Sequence, residues 1–130
     1  MKFNFKGDIQ FLTEGMKALQ KKMGYTISED GLSVNVCCRP GDICIWSDGK
    51  EAAIQYEKKI HFFRALGLLC EHFGEEMQIS EKPVFNKNGM MIDASRNGVM
   101  TVRSIKKMID NMAVMGLNLL MMYTEDPYEV

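Results

Sequence analysis

Charged side chains follow two apolar runs late in the sequence, where they could bind or transform a ligand. Asp93 and Arg96 come at the end of one run, and Glu125 and Asp126 follow the other. The planar guanidinium of an arginine can hydrogen-bond a carboxylate or a vicinal diol with two donors at once. The adjacent acids suggest a glycosidase with two carboxylates. We reject that interpretation, because neighbouring side chains on extended backbone point in opposite directions and cannot flank one glycosidic bond.

The elements that position these groups form a strand, a helix and a strand. Residues 89–93 and 118–123 are apolar on both faces, which is typical of strands in a parallel sheet that is covered on both sides. Between them, Thr101 is a suitable N-cap, apolar residues recur at helical spacing, and Gly116 suits the C′ position. This order within 35 residues predicts a βαβ unit.

These segments together resemble the bacterial β-N-acetylhexosaminidases of glycoside hydrolase family 20. In that family the first barrel strand ends in Asp-x-Ser-Arg, the following helix leads to a Gly-x-Asn turn, and the second strand ends in Thr-acidic-Asp. The corresponding residues here are Asp93-Ala94-Ser95-Arg96, Gly116-Leu117-Asn118 and Thr124-Glu125-Asp126. The motifs cover residues 83–130, whereas residues 1–82 resemble the family only in architecture.

The resemblance implies that residues 83–130 begin a (β/α)8 catalytic barrel, with substrate at the carboxyl ends of its strands. A barrel needs about 250 residues, so we expect the sequence to be the N-terminal piece of a longer protein. By the family match, Arg96 binds two neighbouring hydroxyls of a terminal N-acetyl sugar, and Asp93 orients Arg96. The alternatives are a surface arginine and a carboxylate that caps the strand end.

The catalytic pair of the family is an Asp-Glu dipeptide on a later strand. The Asp orients the acetamido group of the substrate, which is the nucleophile, and the Glu is the general acid and base. No position of this sequence matches that dipeptide, and Glu125-Asp126 has the reverse order. Tyr123, Glu125 and Asp126 either line and brace the substrate pocket or are purely structural.

The resemblance therefore implies a parent enzyme that removes terminal β-linked N-acetylhexosamine, GlcNAc or GalNAc, with retention of configuration. Its partner is a glycan that contains N-acetylhexosamine, and it needs no metal or other cofactor. By this resemblance, residues 1–130 include none of the catalytic residues, so we expect the chain to be inactive by itself. Its incomplete barrel would leave a sheet edge through which copies of the chain could self-associate.

Residues 1–82 predict an α+β domain, made of an antiparallel sheet with two helices, before the βαβ unit of the incomplete barrel. The first helix is expected to begin at the Gly7-Asp8 turn and to end before Gly24. Asp48-Gly49 suggests a hairpin turn. The polar segment at 75–88 contains Pro83 and is interpreted as a connection between two units. The expected strands are 2–6, 32–38, 42–47 and 51–56, with the last three in an antiparallel meander, and the expected helices are 9–23 and 59–73.

The composition favours an ordinary globular protein. The 130 residues include 46% hydrophobic and 25% charged side chains and carry a net charge of −1. Acidic and basic residues balance in both parts of the chain, so a nucleic-acid or membrane-surface binder is not expected. No apolar run is long enough for a membrane span, and no signal-peptide core follows the N-terminus, so we expect a cytoplasmic protein.

The cysteine and histidine residues do not suggest a metal site. Four cysteines without Cys-x-x-Cys spacing favour reduced, partly buried thiols over a disulfide or a bound metal. His61 and His72 lie eleven residues apart and are expected at the surface. A second hypothesis for the chain is a free-standing, non-catalytic α+β module for interaction or carbohydrate binding, whose βαβ segment pairs with another chain.

Overall fold

The first eight elements of the chain form one sheet with two helices on one of its faces. The computed structural model describes residues 1–95 and 98–125. In chain order the eight elements are β1 (Lys2–Gly7), α1 (Thr13–Met23), β2 (Thr26–Ile27), β3 (Leu32–Cys38), β4 (Ile43–Asp48), β5 (Glu51–Tyr56), α2 (Lys59–Glu71) and β6 (Glu76–Glu81).

Three further elements form a separate strand pair and the helix between its strands. They are β7 (Gly89–Asp93), α3 (Val102–Met115) and β8 (Leu119–Tyr123). The fold is therefore mixed α+β. None of the described helices is both long and apolar enough to cross a membrane.

The six-stranded sheet has the order β2-β1-β3-β5-β4-β6. The first four strands in this order are parallel, and β4 is antiparallel to β5 and β6. The predicted antiparallel meander is therefore wrong, because β5 lies between β3 and β4. The β4–β5 hairpin is confirmed, but its loop is Gly49-Lys50 and not Asp48-Gly49, with Asp48 as the last residue of β4 and Gly49 at φ 82°. Alternating hydrophobicity shows which face of a strand is buried but not which strand is its neighbour.

The segment that was interpreted as a connection contains the edge strand β6. Met77 and Ile79 of this strand pack against the core, and the alternate residues Glu76, Gln78 and Ser80 are exposed. All six residues pair with β4, including Ile79 opposite Ile45. The alternation is present in the sequence, but it is short and its outer positions are polar, so the segment as a whole resembles a loop.

The first helix begins later than predicted. α1 starts at Thr13 and Leu12 occupies the N-cap position, so Asp8 is not the cap. The Asp8 carboxylate accepts a hydrogen bond from the Cys38 amide instead, at 2.8 Å, which connects the end of β1 to the end of β3. A side chain that satisfies a tertiary partner is not available as a helix cap.

The core lies between the six-stranded sheet and helices α1 and α2. It is rich in aromatic rings, and Phe62 makes edge-on contacts with Phe5, Tyr56 and Phe63. The helices approach closely at Gly15, where an added Cβ would lie 2.3 Å from the Phe63 ring. The largest fully buried side chains are Tyr25, Phe3, Phe62, Leu12, Met16, Ile45, Ile54, Leu66, Leu69 and Val34.

One histidine was wrongly expected at the surface. His61 is 8% exposed, and its Nδ1 accepts a hydrogen bond from the Lys58 amide at the start of α2. Burial, with a smaller contribution from the Lys58 charge, lowers the pKa of His61. The imidazole is therefore a neutral cap of the helix. His72 is partly exposed, and its ring nitrogen lies 2.9 Å from a Glu75 carboxylate oxygen.

Helix α3 packs against α2 and joins the two sheets. A Cβ at Gly67 of α2 would lie 2.9 Å from the Val114 carbonyl oxygen of α3, so only glycine permits this approach. Beside it, Arg64 donates two hydrogen bonds to Glu81 of β6, at 3.0 and 2.8 Å. This ion pair raises the pKa of Arg64 and lowers that of Glu81. The Arg64 stem also lies against Gly116.

Candidate functional site

The carboxyl ends of β7 and β8 lie side by side, as the sequence predicted. The two strands pair in parallel from Gly89 opposite Leu119 to Asp93 opposite Tyr123. The Ala94 amide continues the pairing by donating to the Tyr123 carbonyl at 2.8 Å. The segments that follow both strands therefore leave the same edge of the sheet.

Helix α3 determines this parallel arrangement, and its two ends are those predicted from the sequence. Thr101 Oγ1 accepts a hydrogen bond from the Ser104 amide at 3.2 Å, which caps the first turn. Gly116 has φ 79°, and its amide donates to carbonyls of the last helical turn. A left-handed residue at this point ends the helix and returns the chain to the start of β8.

Asp93 fixes the turn that leaves β7. One of its carboxylate oxygens accepts hydrogen bonds from the Ser95 amide at 2.8 Å and the Ser95 hydroxyl at 2.7 Å. Sequence reasoning named Asp93 as a group that orients Arg96 and did not give Ser95 a role. The Asp-x-Ser spacing was the signal for this turn, because an Asp side chain often accepts a hydrogen bond from the backbone amide two residues later.

The four predicted site residues are only partly covered by the structure. Asp93 and Glu125 are both exposed, at or just beyond the carboxyl ends of the two strands. Arg96 and Asp126 lie outside the described residues. The strand pairing thus brings Asp93 and the segment that leads to Glu125 to one edge. The roles of all four residues in substrate binding stay predictions.

The amino ends of the same strands are held together by Asn118, the last residue of the Gly-x-Asn turn. Its side-chain amide donates to the Asn86 carbonyl at 2.9 Å, and its side-chain oxygen accepts from the Asn88 amide at 2.9 Å. The Asn118 backbone also donates to Asn88 at 2.8 Å. This motif residue therefore has a positioning role, since it aligns the chain before β7 with the start of β8.

Replacing Asn118 with Ala should loosen β7. We expect loss of the two side-chain hydrogen bonds to cost about 1 kcal/mol, which corresponds to about fivefold faster amide exchange. The measurement is hydrogen exchange at Met90 to Ile92, with Arg103→Ala on the exposed face of α3 as the control. Equal exchange rates in the Asn118 variant and the control would contradict this role.

The edge offers hydrogen-bonding groups rather than a metal site. In the described ranges 1–95 and 98–125, no group of three or more His, Cys, Asp or Glu side chains could hold a metal ion. The four cysteines are free thiols, with Cys70 buried and Cys37 and Cys38 exposed. Carboxylates, hydroxyls and a phenol at a strand end can accept and donate hydrogen bonds to a polyhydroxylated ligand.

Comparison with solved structures found this fold in glycoside hydrolases. The family 20 β-N-acetylhexosaminidase from Streptomyces coelicolor matches with a TM-score of 0.70 and 17% identity over 94% of this chain and 30% of that chain. The family 20 exo-β-N-acetylglucosaminidase from Vibrio harveyi, in complex with N-acetylglucosamine, matches with a TM-score of 0.69 and 19% identity over 94% and 22%. A family 138 enzyme that targets pectin rhamnogalacturonan II matches with a TM-score of 0.67 and 14% identity over 97% of this chain and 19% of that chain.

The chain spans less than a third of the length of these enzymes. No protein-family model matches the sequence, and no curated protein matches it. At these identities the likeness shows a shared fold. That fold extends over nearly the whole chain, including both the six-stranded sheet and most of the segment from β7 to β8.

Proposed function

We propose that the chain is the N-terminal part of a family 20 glycosidase that removes terminal β-linked N-acetylhexosamine. One observation carries the proposal: the Asp93-x-Ser95-Arg96 motif and the Glu125-Asp126 pair follow adjacent carboxyl ends of two parallel strands, in a chain with the fold of those enzymes. Substrates of (β/α)8 enzymes bind at such ends. In this proposal, residues 1–82 are the domain that precedes the barrel and residues 83–130 are the first part of the barrel.

The proposed mechanism is hydrolysis with retention. The substrate's acetamido oxygen attacks the anomeric carbon while the glycosidic bond breaks and the general acid protonates the leaving oxygen, and water then displaces the acetamido oxygen from the anomeric carbon. The part of the site in this chain binds the sugar, with Arg96 on two neighbouring hydroxyls and Asp93 shaping the turn that presents Arg96. The general acid and the carboxylate that orients the acetamido group come from later strands. The enzyme acts in the cytoplasm on glycans that end in N-acetylhexosamine.

The test is to express the complete reading frame that contains residues 1–130 and, separately, the 130-residue chain. The longer protein is expected to release 4-nitrophenol from its N-acetyl-β-glucosaminide or N-acetyl-β-galactosaminide and to leave the β-glucoside intact, because the glucoside lacks the acetamido nucleophile. The 130-residue chain should show no turnover above buffer, since absence of general acid-base catalysis alone costs about 10²-fold to 10⁴-fold.

Three results would contradict the proposal. Turnover by the purified 130-residue chain would show that the fragment assignment is wrong. Equal turnover of the β-glucoside by the longer protein would exclude acetamido participation. Hydrolysis of rhamnogalacturonan II in place of the N-acetylhexosaminides would assign the protein to the chemistry of its family 138 neighbour.

A second candidate function is a free-standing, non-catalytic α+β module. The observation that favours it is the closed core of the six-stranded sheet, which α1 and α2 cover without help from β7 or β8. A stop codon directly after Val130 would support this candidate, and a long continuation that contains an Asp-Glu pair would support the glycosidase.

A further inference from the structure

The face of the six-stranded sheet opposite α1 and α2 contains a depression of about 320 Å³. Its floor is formed by β3, β5, β4 and β6, whose inward side chains fill the core and whose outward side chains line the depression. Trp46 stands in it with 44% of its surface exposed, although tryptophan is usually well buried. An indole that is left open at a concave surface is typical of a binding site.

The strand register determines which side chains lie next to one another in the depression. Trp46 of β4 lies opposite Ala53 of β5 on one side and Gln78 of β6 on the other, and Asn35 of β3 follows beyond Ala53. The small side chain of Ala53 leaves the space beside the indole ring open. Asn35 and Gln78 thus place a primary amide on each side of the Trp46–Ala53 pair, and Lys6 of β1 lies beyond Asn35.

The next row of the sheet supplies further neutral polar groups. Gln55 lies in its centre, between Cys37 of β3 and Cys44 of β4, and Ser80 of β6 follows. The Gln55 amide also donates to the Asp42 carbonyl at 3.3 Å, and the Ser80 hydroxyl donates to the Asp42 carboxylate at 3.5 Å. The Trp46 row is therefore the part of the depression that combines an open apolar surface with amide donors and acceptors.

Charged groups of both signs surround this face, and they include Lys6 of β1, which lies opposite Asn35. Among the residues that line the depression, all within 1–95, Arg39 carries the one formal charge, and its Nε donates to the Gln55 side chain. Directly beyond the Trp46 row, Asp48 of β4 lies opposite Glu76 of β6. With Arg39 and Lys6 on one side and these two carboxylates on the other, the face has no cluster of one sign, which favours a neutral ligand over a polyanion.

We propose that this depression is a non-catalytic binding site for a neutral oligosaccharide. The C–H face of a pyranose ring stacks on the electron-rich face of Trp46, above the space left by Ala53. The amides of Asn35 and Gln78 exchange hydrogen bonds with the hydroxyl or acetamido groups at the rim of the sugar. The site shares no residue with the ends of β7 and β8, so it does not depend on the proposed hydrolase activity.

Trp46 is the only tryptophan in the sequence, so its fluorescence reports binding at this place. The experiment titrates the 130-residue chain with chitotetraose and, separately, with cellotetraose, and calorimetry measures the same affinities. A shift of the emission maximum that saturates with a dissociation constant of about 0.1 to 1 mM is expected, because a shallow and exposed site binds weakly.

Two variants and one control locate the binding. Trp46→Ala should weaken calorimetric binding at least tenfold, and Ala53→Arg should do the same because the long side chain fills the space beside the indole. Ala53 points away from the core, so the Ala53→Arg variant should keep the denaturation midpoint of the wild type. Phe85→Ala, which removes an exposed ring outside the depression, should bind like the wild type.

Three results would overturn the proposal. They are no fluorescence change with either oligosaccharide at 10 mM, binding that persists in both variants, and a fluorescence shift that depends on protein concentration without sugar. The last result would identify the face as an interface between copies of the chain. Binding elsewhere on the chain would leave the proposed hydrolase function open while excluding this site.

Discussion

In the longer protein that we propose to be a glycosidase, Arg96→Ala is expected to lower kcat/KM for an aryl N-acetyl-β-glucosaminide by about 30-fold to 1000-fold. This range corresponds to about 2 to 4 kcal/mol, the cost of losing a charge-assisted contact to substrate hydroxyls in a desolvated pocket. Arg96→Lys should recover only part of the loss, because an ammonium group cannot place two donors in the fixed fork of a guanidinium.

The matched control is Arg103→Ala, which removes an exposed arginine from the first turn of α3. The control should keep wild-type kinetics, and both variants should keep the wild-type circular dichroism spectrum and denaturation midpoint. If Arg96→Ala changes kcat/KM less than threefold in a folded protein, Arg96 is a surface arginine and the carry-over of its family role is wrong.

Local signals in the sequence were sufficient for the elements of the βαβ segment. Thr101 and Gly116 begin and end α3 because a hydroxyl acceptor and a residue that tolerates positive φ meet local requirements of any helix. The apolar residues of β7 and β8 likewise indicated parallel strands. The location of Asp93 followed from the same pattern, because Asp93 is the charged residue at which the apolar run of β7 ends.

Choices among non-local partners could not be read in the same way. Asp8 could cap α1 or accept from Cys38, and only the position of β3 decides between them. The inward alternation of β3 would be satisfied beside β4 or beside β5. The burial of His61 also depends on how α2 packs, since neither its neighbours in sequence nor its spacing from His72 indicates it.

The candidate sites show the same division between local and non-local information. The strand-end carboxylate Asp93 was identified from its motif, while the role of Ser95 required the geometry of the turn. Trp46 lies on the outer face of β4, and its neighbours Ala53 and Gln78 come from two other strands. Sheet order brings these residues together, and one sequence without a structure does not provide that order.

The other large expected effect concerns amide exchange in the β7–β8 pair. The pair forms a two-stranded sheet that is separate from the six-stranded sheet, and side chains on both of its strands are exposed, among them Met91 at 66% and Met122 at 54%. Parallel strands of this composition are normally covered on both faces. Two strands without such cover are marginal in water.

We therefore expect amides of Met90 to Ile92 and Leu119 to Met122 to exchange about 10²-fold to 10³-fold faster than those of Val34 to Val36 in the 130-residue chain at low concentration. The strand β3 lies inside the six-stranded sheet, and its exchange should require global unfolding, whereas β7 and β8 can open locally. Hydrogen exchange followed by NMR measures both regions in one sample.

The dependence of this exchange on protein concentration tests self-association through the same edge. Exposed strand edges and apolar faces favour pairing between chains, so protection of β7 and β8 should rise with concentration if copies associate there, while that of β3 stays constant. Protection of β7 and β8 that equals that of β3 at every concentration would show that the pair is stable within one chain. In that case the proposed boundary near residue 82 and the expectation of an incomplete barrel would both be wrong.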